Sequence, residues 1–272
     1  DKKVTNVSQK GVQIIDEEKV RALFKDFKDG QIAIDEAISA LRSLPYRDLG
    51  FAKLDQHRSI RKGFPEVIFG QGKIPSQVAS LSIALLENTD RLIVTRASPE
   101  MFSSVSSIIP DASYDTLAKT IVVDRRDSVE PIHGIVVASA GTADQPVAQE
   151  AIITCEIMDC TATPLLDVGV AGIHRLLENV EIVQQATVIV VVAGMEGALP
   201  SVVSGLVKAP VIAVPTSVGY GSSFEGITPL LAMMNSCSPG VSVVNIDNGF
   251  GAGYLASMIV RSQREILDHN SI

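Results

Sequence analysis

Residues 187–253 read TVIVVVAGMEGALPSVVSGLVKAPVIAVPTSVGYGSSFEGITPLLAMMNSCSPGVSVVNIDNGFGAG, and this stretch decides the fold. Three apolar, β-branched runs (188–192, 211–214 and 241–246) each end in a small or polar turn: AGME at 193–196, PTSVGYGS at 215–222 and DNGFGAG at 247–253. Short apolar runs bounded by glycine mark buried parallel strands with functional loops at one end. Between the second and third runs lies Cys237, the cysteine hardest to assign to ordinary core.

Working upstream, a strand at 134–138 leads into SAGTAD (139–144) and a helix through Met158. A strand near 164–166 leads into DVGVAG (167–172) and a helix at 173–177, and the last helix covers 253–267. Five rounds of strand, loop and helix predict a doubly wound parallel α/β sheet, flavodoxin-like or Rossmann-like in its three layers. Ligands of such sheets bind beyond the strand C-terminal ends. The segment RRDSVEPI (125–132) is the best linker, because most glycines follow it. The expected domains are therefore 1–128 and 129–272. In the first, residues 1–16 are polar, and apolar spacing over 16–44 predicts two short amphipathic helices broken at Asp29-Gly30. A charged, glycine-punctuated stretch follows at 54–73. Strands at 67–69, 91–95 and 120–123 then alternate with helices at 75–86 and 99–109, which implies a small parallel sheet. No internal repeat is visible.

With 272 residues and 46 % hydrophobic content, the chain can bury a substantial core. A net charge of -8 argues against nucleic acid or an anionic membrane as partner and favours small ligands. No apolar run approaches the roughly 18 residues of a spanning helix. Three cysteines without metal-ligand spacing fit a reducing compartment. The expectation is a cytoplasmic protein; because residue 1 is not Met, a removed organelle-targeting segment is compatible with it.

Several loops admit both a chemical and a structural reading. In SAGTAD, Ser139, Thr142 and the Gly141 backbone can hold a phosphate and Asp144 can accept from ribose hydroxyls; alternatively Thr142 or Asp144 caps the helix. GFGAG (249–253) lacks the dinucleotide fingerprint spacing and follows the final strand, which rejects a nicotinamide dehydrogenase. Those glycines serve a ligand or tight helix packing, and Asn245, Asp247 and Asn248 beside them could meet ribose or metal. Glu196, at the mouth of a strand apolar throughout, is a candidate general base or metal ligand, or a first-turn glutamate favoured by the helix dipole. His174 and Arg175 are read mid-helix, either structural or catalytic. Cys155 and Cys160 are small hydrophobes in a helix and its connector. Asp55, His57, Arg58, Arg61 and Lys62 form an anion-binding cluster or a solvated loop.

Cys237 matters only as thiolate, which needs a positive charge nearby. Its own preceding helix (227–234) presents the wrong dipole end. A helix-to-strand connector also lies at the sheet edge opposite the usual site. A catalytic Cys237 therefore implies help from another subunit or from a positively charged ligand.

The motifs LDQHRSIRKGFPEV (54–67), SAGTAD, DVGVAG with the following IHRL, AGMEGA, PTSVGYG, NSC (235–237) and NIDNGFGA (245–252), taken in order, resemble the LarB family from about residue 50 to 260. That resemblance implies a pyridinium-3,5-biscarboxylic acid mononucleotide synthase. Such an enzyme carboxylates the pyridinium of nicotinic acid adenine dinucleotide at C5 and cleaves the phosphoanhydride, releasing AMP for nickel-pincer cofactor synthesis. It further implies a PurE-like second domain similar to AIR carboxylases, which form octamers, so a homo-oligomer is expected. In the PurE loop a catalytic histidine stands where this chain has Ala198, with Glu196 nearby, so purine-type mutase chemistry becomes the alternative. A third possibility is a nucleotide-binding regulator without catalysis. By resemblance, Cys237 is the nucleophile and Glu196 the proton acceptor. The substrate-binding candidates are Ser139, Gly141, Thr142, Asp144, His174, Ser217, Gly219, Tyr220, Gly221, Asp247, Asn248, Arg58 and Arg61. Partners are the dinucleotide and CO2 or bicarbonate. Mg2+ or another divalent ion is expected at Glu196 and Asp247, with no organic cofactor.

Overall fold

The computed structural model describes residues 17–42, 47–55, 58, 63–127 and 129–269. Two helices, α1 (Glu17–Lys28) and α2 (Ile34–Arg42), flank the Asp29-Gly30 turn. A two-stranded ladder, β1 (Arg47–Asp48) with β2 (Lys53–Leu54), leads into a four-stranded sheet. That sheet comprises β3 (Ile68–Phe69), β4 (Arg91–Thr95), β5 (Ser113–Asp115) and β6 (Thr120–Asp124) in the order β3-β4-β6-β5. Helices α3 (Pro75–Leu86) and α4 (Pro99–Ser106) pack against each other. Both begin with proline at the first helical position, where its missing N–H is no loss. The small sheet is mixed rather than parallel. Only β3 and β4 run together; β6 is antiparallel to both neighbours. The cause is β5, an unanticipated strand joined to β6 by a short turn, which forces a hairpin.

The second sheet has five strands, β7 (Ile132–Ser139), β8 (Cys160–Leu165), β9 (Val188–Ala193), β10 (Val211–Pro215) and β11 (Val241–Val243), in the order β11-β10-β9-β7-β8. Every pair is parallel. This is the flavodoxin-like doubly wound order, whose switch point lies between the first and third strands. Every residue of β9 and of β10 is buried, as a central strand covered on both faces requires. Pro164, which cannot donate to a ladder, sits in the edge strand β8. Cys160 is the first residue of β8 and not part of a connector.

The strand side chains alternate between two cores. Val188, Val190, Val192, Ile212 and Val214 pack with α5 (Gln145–Ile157) and α10 (Gly249–His269). Ile189, Val191, Val211 and Ala213 meet the opposite layer of α6 (His174–Leu177), α7 (Val180–Gln184), α8 (Leu199–Ser204) and α9 (Ile227–Met234). Each such Val or Ile side chain contributes about 1.5–3 kcal/mol by burial. The approach of α5 to α10 explains GFGAG: a Cβ on Gly249 would stand 2.1 Å from the Val147 carbonyl oxygen, and one on Gly253 2.4 Å from that of Ala151. Tight packing, the structural reading of this motif, is what these glycines serve.

The two sheets meet through an apolar cluster of Phe64, Ile93 and Ala118 with Ile153, Ile157 and Met158. At its rim, Asp159 receives Arg126 at 2.5 Å and Arg91 at 3.2 Å, with Arg261 at 3.8 Å. Burial lowers the Arg91 pKa, and neighbouring Arg126 lowers it further, while Asp159 opposes both. The start of the segment 125–132, read from sequence as the linker, is held to the large domain by Arg126.

Candidate active site

Loops at the C-terminal ends of β7, β8 and β9 enclose a cleft of about 400 Å³ at the switch point. Gly141, Thr142 and Asp144 come from the first loop, Asp167 and Arg175 from the second loop and its helix, and Glu196 and Ala198 from the third. Gly194 lets the third loop pass the next one, since a Cβ there would sit 2.2 Å from the Val218 carbonyl oxygen. Asp167, Met195 and Asp247 all have left-handed backbone, at φ 59, 52 and 56°. Such conformations cost about 1–3 kcal/mol each and gather at functional loops.

The three carboxylates of the cleft differ in what they touch. Asp144 is buried: Thr216 Oγ1 donates to Oδ1 at 2.7 Å and the Gly141 amide to Oδ2 at 2.9 Å, with the Gly194 amide also donating. Burial raises its pKa, these donors and then the nearby Asp247 acting as smaller influences. Both oxygens are thus committed to tying three loops together. Asp167 pairs with Arg175 at 2.5 Å, where Arg175 is the one cation lining the cleft among the described residues. Glu196 is exposed on the cleft wall and makes no hydrogen bond or ion pair among the described residues. It is the one carboxylate of the cleft left without a partner among the described residues.

The remaining candidates fall in different places. Ser139 is fully buried, and its hydroxyl accepts the Asp167 amide at 3.3 Å, so it holds a loop instead of facing the cleft. His174 does not lie mid-helix; it opens the single-turn α6, is exposed, and is not among the cleft residues. Ser217, Gly219, Tyr220 and Gly221 form an exposed loop beyond β10, adjoining the cleft through Val218. Beside this loop Ser223 Oγ is buried without a hydrogen-bond partner among the described residues. The Asp247 carboxylate accepts the Ser217 amide at 2.8 Å. Asn248 caps α10, accepting the Gly251 amide at 2.8 Å. Arg58 faces Glu66, whose carboxylate accepts the Asp55 amide at 2.6 Å. Arg61, with His57 and Lys62, lies outside the described residues.

Cys237 is exposed and outside the cleft lining. Its loop enters β11 from the opposite sheet edge, where Gly240 accepts the Val211 amide, and runs along the flank of α8. There Ser236 and Ser201 hydroxyls stand 2.7 Å apart and Ser204 Oγ donates to the Pro239 carbonyl. Cys155 and Cys160 are buried, and burial pushes the Cys155 thiol up to about 12. Sequence reasoning gave no role to Asp167, quoted only within its motif, nor to Glu150. The signal for Glu150 was a carboxylate on the buried face of α5 that carries Ile153, Thr154 and Ile157, at three-, four- and seven-residue spacing from it.

Residues 46–126 match the model of the LarB/PurE-like N-terminal domain, and residues 134–270 that of AIR carboxylase. The chain is 41 % identical over 253 residues to an uncharacterized protein of Methanocaldococcus jannaschii, covering 89 % of this chain and 97 % of that one. Among solved structures it is similar to a PurE2 variant from Treponema denticola (14 % identity, 52 % of this chain and 98 % of that one, TM-score 0.37). It is also similar to a diflavin flavoprotein from Nostoc sp. (21 % identity, 52 % of this chain and 99 % of that one, TM-score 0.31). The family matches support a carboxylase role on a PurE-like α/β fold. Among the described residues no helix is long and apolar enough to cross a membrane. With an AIR carboxylase domain following its N-terminal LarB/PurE-like one, the chain belongs to the LarB family.

Proposed function

We propose that this chain carboxylates the pyridinium ring of nicotinic acid adenine dinucleotide at C5 and hydrolyses the phosphoanhydride. The products are AMP and pyridinium-3,5-biscarboxylic acid mononucleotide, a precursor of nickel-pincer cofactor. The observation that carries this reading is Glu196, an uncommitted carboxylate on the cleft wall two residues before Ala198. Among the described residues no histidine lines the cleft, and in this reading Glu196 takes the proton.

A pyridinium is electron-poor and does not attack CO2. Addition of the Cys237 thiolate to a carbon next to C5 forms a C–S bond and moves one ring electron pair onto nitrogen, leaving an enamine whose C5 is nucleophilic. C5 then bonds to CO2. Glu196 removes the C5 proton, and that electron pair re-forms the ring double bond as the thiolate leaves, restoring the pyridinium. Water added at phosphorus breaks the anhydride and gives two phosphomonoesters. Arg175 supplies charge for phosphate and the Thr142 hydroxyl a donor. A divalent ion such as Mg2+ fits only as a companion of the substrate phosphates, with Glu196 offering one carboxylate. The described residues form no group of three or more His, Cys, Asp or Glu able to hold it, Asp247 being bonded to Ser217. No step here runs through it.

Within one chain Cys237 lies outside the cleft lining, on a loop along the flank of α8, whereas the reaction needs both at one ring. We therefore assign the complete site to a homo-oligomer in which another copy brings Cys237. Ile227, Leu231 and Met234 support this, exposed at helical spacing on α9 just before Cys237. The test is incubation with the dinucleotide, bicarbonate and Mg2+, reading AMP and the dicarboxylated mononucleotide by mass spectrometry. Cys237→Ala and Glu196→Gln should each be inactive, and mixed oligomers of the two should regain turnover. Dinucleotide recovered intact, or full activity in Cys237→Ala, refutes the assignment. Turnover of a carboxyaminoimidazole ribonucleotide would instead establish the purine-type mutase.

A further inference from the structure

Among the described residues, two arginine-centred bridges join the small mixed sheet to the large domain at opposite edges, besides the Gln149 side chain donating to Asp115 at 3.1 Å. One is the arginine cluster on Asp159, a residue that precedes β8 and whose carbonyl accepts the amide of Ile132 at the start of β7. That bridge lies at the edge away from the cleft. The other is Arg96. It follows β4, holds left-handed backbone at φ 54°, and sends its guanidinium across to the large domain. There Nη2 donates to the carbonyl oxygen of Asp247 and Nε faces Glu150 Oε1 at 3.4 Å. Glu150 is buried within α5, and its other oxygen accepts the Phe250 amide at the start of α10 at 3.1 Å. A left-handed arginine satisfying a buried carboxylate and a loop carbonyl at once is placed by the protein, not by solvent.

What Arg96 holds leads to the cleft. The Asp247 carboxylate accepts the Ser217 amide at 2.8 Å, which fixes the turn beyond β10. The adjoining Thr216 donates to Asp144 at 2.7 Å, and Asp144 accepts the Gly141 amide at 2.9 Å. Asp144 and Gly141 are both part of the cleft wall. Four hydrogen bonds in series, with one peptide link between Thr216 and Ser217, thus connect the N-terminal domain to the floor of the site. No such series begins at Asp159 among the described residues.

We propose that Arg96 is a positioning residue through which the N-terminal domain sets the Asp247, Thr216 and Asp144 network and so the shape of the cleft. Its functional half rests on the dinucleotide reading above; its structural half does not. The plain alternative is that Arg96 merely staples two domains, as Arg126 does at Asp159.

Amide hydrogen exchange on the full-length protein separates these. Arg96→Met should accelerate exchange in peptides spanning 139–144 and 215–221 by about tenfold, the usual scale of a coupling through packed networks, with residues 188–193 unchanged. Arg126→Met should lower the melting temperature and leave those peptides protected. Turnover should show KM for the dinucleotide raised by about tenfold with kcat nearly constant, and Arg96→Lys should recover part of it. If Arg96→Met fails to fold because Glu150 loses its ion partner, Arg96→Met combined with Glu150→Gln buries no lone charge and is read in the same way. Unchanged exchange at both peptides, or an equal effect from Arg126→Met, overturns the proposal. Altered exchange without any dinucleotide turnover by the wild type would refute the function and leave the positioning role standing.

Discussion

Asp144 offers the sharpest test of which carboxylates are structural. It accepts from Thr216 Oγ1, the Gly141 amide and the Gly194 amide while only 4 % exposed. In Asp144→Ala three donors lose their acceptor, each at about 1–3 kcal/mol, and relief of the buried charge returns part of that, so about 3–5 kcal/mol should be lost. Asp144→Asn behaves otherwise. Its Oδ1 can accept both amides while its Nδ2 donates to the rotatable Thr216 hydroxyl, so the cost should be about 1 kcal/mol or less. Urea unfolding followed by circular dichroism measures both, alongside dinucleotide turnover, which the Asn variant should retain within about threefold, corresponding to less than 1 kcal/mol of barrier. The pH dependence has a definite sign. Because burial raises the folded pKa of Asp144, its contribution to stability is fully present below the ordinary aspartate range and is lost as pH rises through the raised value. The Asn variant should therefore gain on the wild type between acid and neutral pH. An Asn variant as unstable as Ala, or one that stays stable but loses turnover by orders of magnitude, would show that the charge of Asp144 is chemical and refute the reasoning.

Three further outcomes follow from other parts of the fold. Gly253→Ala drives a methyl to 2.4 Å from the Ala151 carbonyl oxygen, and should cost about 2–3 kcal/mol and lower Tm by several degrees in a calorimetric scan. Native labelling with iodoacetamide near pH 8 should modify Cys237 alone, because burial holds the Cys155 thiol up at about 12 and also raises that of Cys160; peptide mass spectrometry reads the adducts. Asp159→Asn leaves Arg91 and Arg126 facing a neutral side chain at the domain boundary. It should cost about 1–3 kcal/mol in thermal unfolding without changing the KM for dinucleotide, since the cluster lies at the edge away from the cleft.

Much of the architecture was legible because it depends on local pattern. The run at 188–192, apolar at every position, could only be a strand covered on both faces, and it is. Glycine and proline punctuation placed Pro75–Leu86 and Ile227–Met234 as the structure has them. The hairpin partner Ser113–Asp115 was missed because three polar and aromatic residues carry no periodicity, and with it went the direction of β6. In the site, the glycine motif at 249–253 looked equally like a ligand loop or a packing seam. Only the approach of α5 to within 2.1 Å of an added Cβ shows the seam.

By itself the sequence determined the doubly wound domain, the loops that would surround a ligand, and Glu196 and Cys237 as the residues to watch. Those follow from hydrophobic period and turn chemistry, which act over a few residues. Tertiary structure alone decided which carboxylate is free. Asp144, Asp167 and Glu196 are the same kind of side chain on three loops, and no local pattern separates them. Thr216 and two backbone amides occupy the first, Arg175 the second, and nothing among the described residues the third. Those partners arrive from up to 72 positions away, because the switch point of the sheet brings separate strand ends together.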